Sequence, residues 1–341
     1  MKAFVVATRY ALPDGILDND QLASQYEGWS AEKIFAKTGI RTRHIAAPDE
    51  CASDLAFRAA QDLISYTRID PSSVDFLLYC TQTPDYIMPT TACVMQHRLG
   101  LRTSCGALDF NLGCSGWIYG LGLSKALIES GQMRTVLLIT AETYSKLVNP
   151  ADKSTRTIFG DAATATLLVA SERETLIGPF VYGTDGGGAK DIIIPAGGRR
   201  RLREPQAELI ADDSGNARTV NDLYMNGPEV FNFTLRTVPA AVEELLRQAG
   251  IGKDAIDLFV FHQANGFMLD HLRRKIGIPA EKFVLAMEDV GNTVSSSIPI
   301  ALQCAERRGQ LKPGALVMLV AFGVGYSWAA TLIRWAATDL S

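Results

Sequence analysis

The chain reads as an α/β protein built of two pseudo-symmetric halves, each a mixed sheet with helices on its faces. Three observations predict this. Its 341 residues exceed one ordinary domain. Short continuous apolar runs, the pattern of strands buried on both faces, alternate with stretches of helical periodicity. Several of these segments recur in the same order in the second half of the chain.

The first matched pair is Val74–Cys80 and Ile256–His262, at an offset of 182 residues. Each run follows an amphipathic helix. In the first helix Leu55, Ala56, Ala59, Ala60, Leu63 and Ile64 share a face, and Ser53 is placed as its cap. In the second Val242, Leu245, Leu246 and Ala249 share a face, and Pro239 is placed in its first turn. Cys114 then begins a helix-like segment that passes Gly131-Gln132 and reaches the strand Val136–Ile139. Asn292 begins another that passes Gly309-Gln310 and reaches Leu316–Val320, at an offset of 178 residues. Phe159-Gly160 precedes a strand at 163–167 as Phe322-Gly323 precedes one at 329–332. Cys114 and Asn292 thus take equivalent places at the starts of two related helices, and Cys80 and His262 end two related strands. The seam is placed near Ser171–Gly178, giving halves 1–174 and 175–341. Ligands in such folds sit outside strand ends and at the seam between units.

Composition narrows the class. With 47% hydrophobic and 21% charged residues the chain is that of a globular protein. A net charge of −4 gives no general attraction to nucleic acid or to an anionic membrane. The first apolar run is ended by Arg9, too early for a signal peptide or a membrane span. The six cysteines show no CxxC pairing, and the four histidines build no metal motif. These features predict a cytoplasmic, metal-free, soluble protein.

Three residues could carry chemistry. Cys114 lies in Asn111-Leu112-Gly113-Cys114-Ser115-Gly116, between an apolar strand and a helix. A thiol there meets unpaired backbone N–H groups and the positive end of the helix dipole, which favour thiolate. Taken alone, the residue fits a small buried hydrophobe as well as a nucleophile. His262 ends a buried strand and opens His262-Gln263-Ala264-Asn265, where active-site groups collect; by itself it also suits a structural role. Asn292, in Gly291-Asn292-Thr293, suits a turn or cap as readily as a hydrogen-bond donor to substrate.

Taken together, the motifs resemble those of β-ketoacyl-acyl carrier protein synthase III, within the thiolase-like superfamily. The similarity spans nearly the whole chain. It rests on Thr38-Gly39-Ile40-Arg41 with Arg43-His44-Ile45, the Cys114-Ser115-Gly116 elbow, Phe159-Gly160-Asp161-Ala162, His262–Asn265, Gly291–Thr293 and Phe322–Trp328. The resemblance implies a thiolase-like fold of two halves in layered α/β arrangement, a homodimer, and a catalytic Cys114, His262 and Asn292. It implies an acyltransferase that performs a decarboxylative Claisen condensation. Cys114 would take the acyl group from a thioester, commonly of coenzyme A. A malonyl thioester, on coenzyme A or an acyl carrier protein, would then lose carbon dioxide and attack. Backbone N–H groups of Cys114 and Val324 would form the oxyanion hole, and His262 and Asn292 would hold the malonyl thioester oxygen. Coenzyme A enters as substrate, and no metal or resident cofactor is implied.

Departures from the family pattern bear on substrate and carrier. Phe267, two residues past Asn265, stands where an arginine usually meets the carrier protein. Lys33 and Lys153 stand where a tryptophan and an arginine usually clamp adenine. Met88 matches a position that closes the partner's acyl pocket, and it equally suits core packing. The Arg199–Arg203 run lies in a polar insertion, read either as a solvated loop or as a docking patch for an acidic carrier. The alternative activity is a same-fold acyl transfer to an oxygen, nitrogen or unusual carbon acceptor, in secondary metabolism or glycan assembly. A catalytically silent partner is a third reading, opposed by an intact Cys114.

Overall fold

A computed structural model describes residues 1–172 and 177–335; the boundary at 174 and 175 lies outside the described residues. Two sheets dominate. The first has five strands in the order Lys2–Ala11, Ala162–Ser171, Thr135–Glu142, Phe76–Cys80 and Gly106–Phe110. The second has four, in the order Ile177–Thr184, Ser327–Arg334, Leu316–Gly323 and Leu258–Phe261. In each, the first two pairings are antiparallel and the next is parallel. Phe283 adds a parallel bridge to Phe259 where the first sheet has its fifth strand. The recurring segments in the sequence are therefore the same three strands of each sheet, met in the same order.

The helices complete a layered stack. Gly116–Glu129 and Ser297–Arg307 run between the sheets. Their residues Trp117, Ile118, Leu121, Ile298, Ala301 and Leu302 join one core with strand residues Leu138, Val260 and Leu319. Both helices are thus wrapped in apolar surface, and each CH₂ so buried contributes about 0.8 kcal/mol. Ala52–Thr67 covers the outer face of the first sheet, packing Leu55, Ala59 and Leu63 on Leu77, Ile139 and Leu167. Gly227–Ala249 covers the second, packing Phe233, Val242 and Leu245 with Phe261, Met318 and Val320.

Two helix starts differ from the sequence expectation. Cys51, not Ser53, caps Ala52–Thr67, and its backbone N–H donates to Asp54 Oδ2 at 2.8 Å. Ser53 is instead a buried residue inside the first turn. Pro239 lies inside a 23-residue helix that begins at Gly227. The apolar stripe extends back through Phe233 and Val230, and Asn226 with Pro228 supplies the start signal that Pro239 was expected to give.

Candidate active site

Strand ends of both sheets converge on a cavity of about 390 Å³ that Cys114, His262 and Asn292 all line. Its other walls are mostly apolar, including Tyr144, Phe159, Met225, Phe231 and Phe322. Cys114 sits two residues before the first residue of helix Gly116–Glu129. The elbow is tight: a Cβ on Gly113 would lie 2.6 Å from both Gln82 Oε1 and a Val324 methyl. A Cβ on Gly116 would lie 2.2 Å from Cys80 Sγ. Such separations are closer than real contacts permit, so both positions require glycine. Gly323 faces the Cys114 thiol, since a Cβ there would lie 2.7 Å from Cys114 Sγ.

The electrostatics of the elbow correct one expectation. Burial pushes the Cys114 thiol up to about 12, and the Val324 and Cys114 backbone N–H groups that face the sulfur offset this only in part. The helix terminus therefore does not yield a resting thiolate, because desolvation of the charged form outweighs the dipole.

His262 is 2% exposed, and burial lowers it to about 3, so the ring is neutral. Its Nδ1 lies 2.7 Å from Ser297 Oγ, and its ring packs nearly perpendicular to that of Phe322. Ser297 also accepts a long bond from the Gln263 N–H at 3.4 Å. Gln263 is structural: its amide donates to the carbonyls of Phe261 and Val284 and accepts from the Ala286 N–H.

Asn292 is fixed on three sides. Its N–H donates to the Ile158 carbonyl at 2.9 Å, and its own carbonyl accepts from the Gly160 N–H at 3.1 Å. Its side-chain Oδ1 accepts from the Val294 N–H at 2.9 Å, which leaves the amide NH₂ as the free donating end. Val294 has φ of 53°, a left-handed conformation that a β-branched residue adopts only when its surroundings impose it. Thus a backbone ladder between the two halves, and not a helix cap, positions this side chain.

The remaining candidates separate. Val324, Asn265 and Phe267 line the cavity. Asn265 also caps helix Gly266–Ile276, accepting from the Met268 N–H at 2.8 Å. Phe267 is 53% exposed and stacks on Phe231 at the mouth. Lys33 and Lys153 do not line it. Lys33 donates to the Gly28 carbonyl at 2.7 Å and lies over the Trp29 ring, while Lys153 points toward Gly215. Lys37, one helical turn on from Lys33, is the lysine at the cavity; the i, i+4 spacing was the available signal. Met88 is 78% exposed and absent from this cavity, so it is not core packing within its own chain. Arg199–Arg203 is an exposed segment in which Arg201 pairs with Glu204. Ser297 and Glu142 escaped the sequence reading because their importance lies in contacts, not in a motif. No cluster of three or more His, Cys, Asp or Glu suited to a metal ion occurs among the described residues.

The chain is similar to known proteins along most of its length. Residues 108–186 match the family model for 3-oxoacyl-[acyl-carrier-protein] synthase III, and residues 246–335 match the model for its C-terminal part. A β-ketoacyl-[acyl-carrier-protein] synthase III of Symbiobacterium thermophilum is 38% identical over 95% of this chain and 96% of its own. One from Caldanaerobacter subterraneus subsp. tengcongensis is 35% identical over 98% of each chain. A crystal structure of a 3-oxoacyl-(acyl-carrier-protein) synthase III superposes with a TM-score of 0.96 at 52% identity, covering 98% of this chain and all of that one.

Proposed function

Since this chain belongs to the β-ketoacyl-[acyl-carrier-protein] synthase III family and is a condensing enzyme of that type, we propose that Cys114, His262 and Asn292 divide its two half-reactions. The observation that carries this reading is their convergence on one apolar cavity, with two backbone N–H groups at the sulfur.

In the first half-reaction the Cys114 thiol gives its proton to His262 Nε2 as sulfur bonds to the acyl carbon. The donor's C–S bond breaks, and the departing thiolate takes that proton. In the second, a malonyl thioester loses carbon dioxide, its carbon bonds to the acyl carbon, and the Cys114 C–S bond breaks, the released thiolate taking a proton from solvent. His262 Nε2–H and the Asn292 amide donate to the malonyl thioester oxygen while it carries enolate charge. These steps ask opposite things of Nε2, and the Ser297 hydroxyl suits both. It accepts from Nδ1–H when Nε2 is the base, and donates to Nδ1 when Nε2 carries the proton.

The enzyme is accordingly an acyltransferase that needs no metal or resident cofactor: decarboxylation supplies the carbanion, and no electrons are exchanged. Coenzyme A serves as the carrier of the donor, and an acyl carrier protein as that of the extender. Lys37 and Phe267 line the cavity where the carrier's arm would enter, and Lys33 and Lys153 do not. The reaction belongs in the cytoplasm, alongside fatty-acid synthesis; no helix among the described residues is long and apolar enough to cross a membrane.

The test is intact-mass analysis after incubation with a panel of acyl-coenzyme A and acyl-carrier thioesters, followed by malonyl-carrier protein. An adduct discharged with release of carbon dioxide is the expected result. An adduct that water or an alcohol discharges, but malonyl does not, would point to transfer onto another acceptor.

The working form is a homodimer. Tyr86, Ile87 and Met88 are 59%, 81% and 78% exposed, an apolar patch beside the edge strand Gly106–Phe110. Asp109 on that edge accepts from the Thr91 and Ala92 N–H groups, which ties the patch to it. An apolar patch on an unpaired sheet edge supports pairing with a second copy. Met88→Arg is expected to yield a monomer in sedimentation, where the unaltered chain sediments as a dimer. A monomeric unaltered chain would remove this reading.

A further inference from the structure

Glu142 ends the strand Thr135–Glu142 with its side chain fully buried, and the two half-reactions assign it no part. Its carboxyl is a junction of three chain segments. The Gln82 N–H donates to both oxygens, at 3.2 and 3.0 Å, and Thr83 Oγ1 lies 3.2 Å from one of them. Ser295 Oγ lies 3.2 Å from the other. Each of these partners reaches the catalytic residues. Gln82 packs against Gly113 of the Cys114 elbow, and its Oε1 accepts from the Tyr144 hydroxyl in the cavity wall. Ser295 is the third residue past Asn292, in the same turn, and its Cβ packs against Gly116 on the other side of the elbow.

We propose that Glu142 is a positioning residue for the condensation, an uncharged crosspiece that fixes the Cys114 elbow relative to the Asn292 turn. This rests on the assignment of Cys114 and Asn292 given above. No cation pairs with the carboxyl among the described residues. The titratable groups around it are Tyr79 and Cys80 from the neighbouring strand, Cys114 from the elbow, Tyr144 beyond its own strand, and Asp161 before the next. All are neutral or negative, so none stabilises a carboxylate. Burial foremost, with Asp161 adding to it, pushes Glu142 up to about 8 against its hydrogen bonds. Thr83 Oγ1 and Ser295 Oγ donate to the carboxyl oxygens, and as hydroxyls either can turn to accept its proton. Ionisation would set a negative charge beside the sites where thiolate and enolate must form, and a charged Glu142 opposes ionisation of Cys114.

The sign follows. Glu142 is protonated below pH 8 and ionises as pH rises through it, so condensation falls on the alkaline side. The experiment compares Glu142→Leu and Glu142→Gln with the unaltered enzyme, measuring acylation and malonyl discharge separately from pH 6 to 10. Glu142→Leu removes every hydrogen bond, and its discharge rate should fall about 10²-fold, the scale of an ångström-level misplacement, with the donor KM little changed. Glu142→Gln keeps an acceptor and a donor and cannot ionise. It should recover most of that loss at pH 7 and lack the decline above pH 8. The proposal is overturned if Glu142→Gln fails to rescue, if it keeps the alkaline decline, or if Glu142→Leu discharges normally. Cys114→Ala, run in parallel, separates the two readings: an acyl adduct on that variant would remove the nucleophile assignment itself.

Discussion

Cys114→Ala is expected to form no acyl adduct with any thioester and to lose condensation by a factor on the order of 10⁴ or more, the scale seen when a covalent nucleophile is removed. The fold should survive. The substitution removes one sulfur from a cavity-lining position, and the elbow geometry rests on Gly113, Gly116 and the Ser115–Ser327 hydroxyl bond at 2.6 Å. The informative measurement is carbon dioxide release from malonyl thioester alone. His262 and Asn292 hold their donors through Ser297, Val294 and the Ile158 carbonyl, with no help from the sulfur. Slow, uncoupled decarboxylation should therefore persist in Cys114→Ala. Its complete loss would mean that the malonyl site depends on the thiol, and the division between half-reactions would fall. The unaltered enzyme reports on the protonation of the thiol. The unaltered thiol is held near 12 by burial, so alkylation by a neutral reagent should rise across the whole alkaline range without a plateau near neutrality.

What was legible in the sequence was order along the chain. Strand runs such as Val136–Ile139 and Leu316–Val320 are apolar on both faces because helices cover both sides of each sheet, and that leaves a readable signature. Cys114, His262 and Asn292, singled out in the sequence by their motifs taken together, line one cavity. Charge state was not legible. The helix start near Cys114 suggested a thiolate, yet depth of burial is a property of the closed cavity and reverses the outcome. Lys33 and Lys153 were chosen by alignment with a pattern, but one helical turn decides which lysine faces the cavity, and it is Lys37. Ser297 and Glu142 sit among ordinary serines and acids in the sequence. Only the contact of a histidine from one strand end with a helix start 35 residues later, or of a glutamate with a turn 153 residues later, distinguishes them.

His262→Ala and Asn292→Ala should each slow condensation by about 10²–10³-fold, the cost of losing one donor to a developing oxyanion. They should differ in where the loss falls. Asn292 has no part in proton removal from Cys114, so Asn292→Ala should accumulate the acyl adduct at near the unaltered rate and then stall. His262→Ala should slow both steps, because the resting thiol is protonated and has lost its base. The two donors act on one oxygen, so the double variant should lose less than the product of the single losses in malonyl discharge. Ser297→Ala supplies the finer cut. With Nδ1 left unpartnered inside the protein, neither tautomer of His262 is favoured by a hydrogen bond, and both half-reactions should slow by a similar, smaller factor, about tenfold. Ser297→Thr keeps the hydroxyl and should restore both. If Asn292→Ala instead prevents adduct formation, its amide serves the Cys114 acyl oxygen, and the oxyanion hole would have to be redrawn around Asn292 in place of the Val324 N–H.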